Sequence, residues 1–213
     1  MNGCEIMEQF YLELPSTDRK NEIIDYINEF VVYNSDINGS GSLDKILDGY
    51  TFEEALERCL NMKDEVYAKK LNRCQSKTFL LIRTNDNKIV GMINVRWNLT
   101  EEMKRFGGNI GSGIRPTERR KGYNKINLYL GLIEAQKLGL DRVMLDCDVE
   151  NLGSSKTMEA LGGELERTEI DPYDGILTSV YQFDVTKTID KYREEYENKI
   201  YKIEKEKSYV KRK

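Results

Sequence analysis

The chain has 213 residues, 39% of them hydrophobic and 33% charged, with a formal net charge of −4. That allows one ordinary core under a heavily charged surface, and the acidic balance argues against non-specific nucleic-acid binding, which needs a basic face. There is no histidine, so His-based triads, common zinc sites and imidazole acid–base chemistry are excluded; no metal is expected, and any catalysis falls to carboxylates, Tyr, Cys, Lys, backbone groups or water.

In chain order, Phe10, Leu12 and Leu14 alternate up to Pro15 and predict a first strand. Ser16, Thr17 and Asp18 offer helix caps, and Ile23, Ile24, Ile27, Phe30 and Val31 form a helical stripe. Residues 34–42 read as a loop. Thr51 and Glu54 have the spacing of a capping box, which predicts a helix over roughly 52–72. Strands follow at 77–83 and 88–96, joined by a turn at 84–87. Residues 98–106 are polar with no steady period, and 108–115 read as a strand.

Ile126, Tyr129, Leu130 and Ile133 then mark an amphipathic helix that ends at Lys137 and Gly139. Val143, Leu145 and Cys147 mark a strand, Asn151 opens a helix that closes at Gly162–Gly163, and a hairpin fills 164–184. Residues 186–213 are dense in Lys, Glu and Tyr. Their stripe of Ile189, Tyr192, Tyr196, Ile200 and Ile203 fits either packing on the domain or pairing between chains in a homodimer. The expected organisation is a domain over 1–185 with a charged helical tail over 186–213.

No stretch approaches the roughly 20 apolar residues of a membrane span, so no membrane partner is expected. The N-terminus lacks a basic region followed by an apolar run. Cys4, Cys59, Cys74 and Cys147 show no Cys-x-x-Cys pairing. That fits reduced thiols in a cytoplasmic protein, with two disulfides as the alternative.

The most informative stretch is 113–125, where an apolar strand runs through a basic loop with Gly122 into the 126–137 helix. Consecutive backbone N–H groups of Arg119, Arg120, Lys121, Gly122, Tyr123, Asn124 and Lys125 at a helix start form an anion site, and pyrophosphate suits it. A basic turn with a convenient helix cap is the plainer alternative. Gly111-x-Gly113 lacks the second half of a dinucleotide fingerprint and no helix directly follows it. Asp146 and Asp148 flank Cys147 at a strand end, either as solvated charges or as a general base. Tyr181 is a candidate acid, or an ordinary strand aromatic. Arg96 and Trp97 follow a strand and could line an acceptor side.

Arg119-x-x-Gly122-x-Asn124 resembles the (Gln/Arg)-x-x-Gly-x-(Gly/Ala) signature of the GNAT acyltransferase superfamily. The order strand, loop, helix, strand, Asn, helix resembles that superfamily's CoA-binding core, and the run Gly107–Pro116 is similar to a branch of small bacterial acetyltransferases. The likeness extends from about Leu12 to Phe183, with its specific motifs in 89–162. It implies an α/β (α+β) fold with a mixed, mostly antiparallel central sheet flanked by helices. It also implies acetyl-CoA as cosubstrate and direct transfer to an amine acceptor in a ternary complex. By resemblance, a bulge at Gly111–Gly113 would splay two strands, the cofactor arm would pair near Gly113, Ile114 and Arg115, and the Ile114 N–H would serve the oxyanion. Asn151 would sit beside that arm. The chain departs from the pattern at Asn124, at Met158 where a Tyr acid is usual, and at Asn109 where the branch prefers His. These departures make a non-catalytic CoA-binding module the rival reading.

Overall fold

Two long strands carry the fold. β2 (Gln75–Arg83) and β3 (Lys88–Trp97) pair antiparallel from Gln75–Trp97 to Arg83–Lys88. Both of their faces are buried: Phe79, Leu81, Val90 and Ile93 enter one core, and Leu80, Ile82, Ile89 and Met92 enter another. Near-continuous apolar runs of this kind need helices on both sides. The computed structural model describes residues 8–201, so Cys4 and Ile203 lie outside the described residues.

β1 (Phe10–Glu13) joins β2, and β4 (Ile110–Ile114) joins β3, giving the sheet β1-β2-β3-β4. A second sheet has the order β5-β7-β6, from β5 (Arg142–Asp148), β6 (Glu164–Ile170) and β7 (Leu177–Asp184). Every strand pair within the two sheets is antiparallel. α1 (Lys20–Val32) and α2 (Phe52–Asn61) cover one face of the first sheet, and α5 (Tyr123–Lys137) covers the other. α6 (Leu152–Ala160) and α7 (Val185–Tyr196) pack on α5. Because α5 lies between the sheet and these helices, it is buried nearly all round rather than along one stripe; Asn127, Leu128 and Leu132 are as covered as Ile126. In α1 the buried face is Ile23, Tyr26, Ile27 and Phe30, while Val31 is exposed.

The expected 52–72 helix is two. Ser76 N–H takes the Met62 carbonyl (3.0 Å), and Asp64 then caps α3 (Glu65–Lys70) by accepting from Tyr67 N–H (2.8 Å). The capping box at Thr51 and Glu54 is formed. The aperiodic 98–106 segment holds a helix, α4 (Glu101–Arg105), capped by Thr100. Five residues are too short for periodicity to reveal.

α7 packs into the core. Ile189 and Tyr196 are buried, and Tyr196 stacks on Tyr129 at 4.8 Å between centroids. Ile200 reaches Phe10, where Tyr201 N–H donates to the Phe10 carbonyl (2.8 Å). The described part of the apolar stripe therefore covers this chain's own domain. Among the described residues no helix is long and apolar enough to cross a membrane.

Candidate functional site

β4 and β5 touch at their beginnings. Asn109 N–H donates to the Met144 carbonyl (2.7 Å), and Met144 N–H donates to Asn109 Oδ1 (2.9 Å). Beyond that point the strands belong to different sheets, and a cavity of about 840 Å³ opens between them. Gly111 to Ile114 form one wall and Leu145 to Asp148 the other.

The β4 wall is regular. Its register with β3 runs unbroken from Val95–Ile110 to Gly91–Ile114, so the expected bulge at Gly111–Gly113 is not there. The two glycines answer a different need: close approach. A Cβ on Gly111 would lie 2.6 Å from the Arg96 guanidinium, and one on Gly113 would lie 2.5 Å from the Asn38 carbonyl. Arg115 N–H donates to the Val90 carbonyl (3.0 Å). By strand alternation, Gly113 and Arg115 turn their N–H groups to β3, while Ser112 and Ile114 turn theirs to the cavity. The Ile114 carbonyl accepts from Arg119 Nε (3.1 Å), and the Ile114 N–H, like that of Ser112, is left to donate to a guest.

Two carboxylates, half-buried Glu29 and buried Glu118, hold the basic loop. Glu29 accepts from Thr117 N–H (2.9 Å) and pairs with Arg115 Nε (2.8 Å). Glu118, 5% exposed at its side chain, binds Arg83, Lys88 and Lys121 at 2.9, 2.9 and 2.7 Å. Burial alone would raise the Glu118 pKa, but Lys121, Lys88 and Arg83 outweigh it and hold the carboxyl at about 2. The side chains of Arg115 and Lys121, both expected at the cofactor, are engaged elsewhere: Arg115 is 4% exposed and paired also with Asp25, Lys121 is paired with Glu118, and neither residue lines the cavity. Arg119 does line it, bonded to Ser35 Oγ (2.8 Å) and lying over the Phe30 ring.

The rest of the loop faces the cavity. Arg120 (φ 64°) and Gly122 (φ 82°) are both left-handed, a conformation that gathers successive N–H groups into a concavity for anions. A Cβ at Gly122 would meet nothing within 4 Å. The α5 N-terminus has no side-chain cap and no acidic residue in its first turn, so its positive end is open. Among the described residues no ion pair engages Arg120 or Lys125, and Asn124 Oδ1 is buried with no partner. Tyr123, Asn124 and Lys125 line this end. Asn151 lines the adjoining wall while its side chain caps α6, accepting from Ser154 N–H (3.1 Å). These features fit a multiply charged phosphate.

The other end is acidic. Asp146 and Asp148 line it, joined by Glu102 of α4 and by Asp171 and Asp174 of the β6–β7 turn, with Arg96 as the facing cation. Asp146 accepts a short hydrogen bond from Gly107 N–H. Burial raises the Asp146 pKa, opposed by that bond and by the Arg96 charge. Cys147 lines the same wall, its thiol pushed up to about 11 by burial and by the Asp146 and Asp148 charges. A thiol so held is protonated near neutrality and a poor nucleophile. Met158 is buried and lines the cavity, so position 158 offers no hydroxyl to it.

Tyr181 does not reach the cavity. Its hydroxyl donates to Glu159 Oε1 (3.1 Å), and burial together with Glu159 pushes its pKa up to about 12. Trp97 is likewise outside the lining, whereas Arg96 is in it. Met103, Phe106, Asp171 and Tyr173 line the acidic end and carry no sequence signal of their own. They come from a five-residue helix and a hairpin turn that only the fold brings together.

A family model described as an acetyltransferase (GNAT) domain matches residues 47–164, more than half of the chain. The protein belongs to the GNAT acetyltransferase family. Among solved structures, its fold is similar to a ribosomal-protein-S5-alanine acetyltransferase from Vibrio fischeri, at 18% identity and TM-score 0.60 over 83% of this chain and 93% of that one. It is also similar to a ribosomal L7/L12 alpha-N-protein acetyltransferase in complex with coenzyme A (14%, 0.57, 83% and 94%). A third likeness is to a spermidine/spermine N-acetyltransferase from Vibrio cholerae (14%, 0.56, 86% and 98%). At these identities the likeness is one of fold. Compared with curated proteins, the sequence finds no match.

Proposed function

We propose that this protein is an acetyl-CoA-dependent N-acetyltransferase that moves an acetyl group directly to a primary amine in a ternary complex. The observation that carries the reading is one continuous cavity joining an open helix N-terminus, the outward Ile114 N–H and the Asp146 carboxylate. Arg120, Gly122, Tyr123, Asn124 and Lys125 would hold the pyrophosphate, with Arg119 shaping the wall and Asn151 beside the arm. Asp146, or water held by Asp146 or Asp148, takes the proton of the attacking amine. The Ile114 N–H supports the charge that develops on the carbonyl oxygen. Holding both reactants in one cavity supplies much of the acceleration. The thiolate leaves with a proton from water, because Tyr181 is turned away.

The five carboxylates of the acceptor end against the single Arg96 guanidinium favour a cationic acceptor. The test is release of CoA thiol from acetyl-CoA with a panel of monoamines, polyamines and peptide N-termini. Release with cationic amines is the expected result. Tight acetyl-CoA binding with no release across the panel would replace this reading with the non-catalytic CoA-binding module.

A further inference from the structure

The run Gly107–Gly108–Asn109 lies outside the cofactor loop, and its geometry is specific. Gly107 N–H holds the Asp146 carboxylate. Gly108 adopts φ 53°, and a Cβ there would lie 2.2 Å from the Met144 carbonyl oxygen, so the turn presses directly on β5. Asn109 bonds Met144 through both its backbone and its side chain, and its Nδ2 donates to the Arg96 carbonyl (3.1 Å). Arg96 closes the arrangement from β3. Its Nη1 donates to the carbonyls of Gly107 (2.6 Å) and Gly108 (3.2 Å), its Nε donates to Asn94 Oδ1 (2.8 Å), and its N–H donates to the Asn109 carbonyl (2.7 Å).

Asn109 gives its own carbonyl to Arg96 and offers β5 a side-chain oxygen instead. The rung has one backbone half, Asn109 N–H to the Met144 carbonyl, and one side-chain half, so the ladder between β4 and β5 stops there. We infer that this turn is a clasp, locked by Arg96, that positions Asp146 and sets the spread of β4 from β5. Arg96 and Asn109 are positioning residues of the transfer. The inference rests on the reading of Asp146 as the base.

The charges around Asp146 fix the direction of the effect. Arg96 on β3 favours its ionised form. Asp171 of the β6–β7 turn opposes ionisation, Cys147 and Asp148 flank Asp146 on its own strand, and Glu102 of α4 lines the same end. Removing Arg96 leaves the acids unopposed, and the Asp146 pKa rises further.

The experiment is the pH profile of kcat/KM with one confirmed amine, together with calorimetric acetyl-CoA affinity, for wild type, Arg96→Gln, Asn109→Ala and Asp146→Asn. Below the amine pKa the wild-type logarithmic profile has slope one, and it steepens to two below the Asp146 ionisation. Arg96→Gln moves that break to higher pH and, because Arg96 locks the turn, weakens acetyl-CoA as well. Asn109→Ala weakens acetyl-CoA about tenfold, because the slot loses its set width. A uniform loss at every pH in Arg96→Gln, or unchanged affinity in Asn109→Ala, overturns the clasp. A retained break in Asp146→Asn overturns the base assignment instead. Circular dichroism reports folding, and Arg96→Met and Asn109→Ser, with the same two readouts, replace any variant that does not fold.

Discussion

The two ends of the cavity are built in opposite ways. The phosphate end comes from one contiguous stretch, residues 116–125, whose conformation is held by Glu29 and Glu118. The acceptor end is assembled from β3, α4, β5 and the β6–β7 turn, which join only when the fold forms. A phosphate is recognised by backbone N–H groups, which neighbouring residues can supply. An amine is recognised by carboxylates, which can come from anywhere in the chain. The first end is therefore readable as a motif, and the second varies with whatever loops lie above the sheet.

The sharpest way to break this contrast is at Gly122. Its left-handed backbone and open surroundings separate two explanations, strain and charge. Gly122→Ala meets only the left-handed penalty of about 1–2 kcal/mol. Gly122→Asp adds a carboxylate at the helix N-terminus, against the incoming phosphate. The expected calorimetric result is a modest loss of acetyl-CoA affinity for Ala and a loss beyond about 100-fold, or roughly 2.7 kcal/mol, for Asp. Equal affinities for wild type and Gly122→Asp would remove the anion site from this end.

Charge alone misleads in this loop, and the reason is physical. Arg115, Arg119, Arg120, Lys121 and Lys125 look equivalent in sequence. The partners that withdraw Arg115 are Asp25 and Glu29, on a helix some 90 positions earlier. Lys121 is withdrawn by Glu118, only three residues away, but that pairing depends on Arg83 and Lys88 arriving from the β2–β3 hairpin. The glycines of β4 mislead likewise: they serve a crossing loop and a crossing guanidinium, which period and composition do not encode. The strand and helix order was legible because most elements are long enough to show their period. α4 was missed because five residues are not.

A smaller effect tests the scaffold under the phosphate end. Glu118→Gln leaves Arg83, Lys88 and Lys121 without their shared carboxylate, but Arg83 keeps Asp86 and both lysines reach solvent, so the cost is about 1–2 kcal/mol. The pH dependence has a definite sign. The Glu118 pKa is depressed in the folded state, so its contribution is complete above the ordinary Glu value of about 4.3. The contribution is lost as pH falls through about 2. Urea unfolding at neutral pH should show the loss, and the gap between wild type and variant should close on acidification. Acetyl-CoA affinity should fall by less than about tenfold, because the left-handed N–H groups remain. A gap that persists at low pH would mean that the glutamine destabilises by packing rather than by charge.

The smallest expected effect concerns Tyr181, on β7 beside β5. In many relatives a phenol protonates the leaving thiolate; here Met158 stands at that position and Tyr181 is the alternative phenol. Its hydroxyl, however, is bonded to Glu159 on α6, and it lies outside the cavity lining. With its pKa pushed up to about 12, it is also a reluctant donor to a thiolate of lower basicity. Tyr181→Phe removes one side-chain hydrogen bond, a stability cost of about 1 kcal/mol. Its kcat with a confirmed amine should fall by less than about tenfold, equivalent to roughly 1.4 kcal/mol of barrier. The profile should keep rising through the ionisation of the amine, with no limb near the ordinary His value of about 6.5. A thousandfold loss of kcat with acetyl-CoA affinity preserved would make Tyr181 the general acid, and would require β7 or α6 to move so that the phenol enters the slot during turnover.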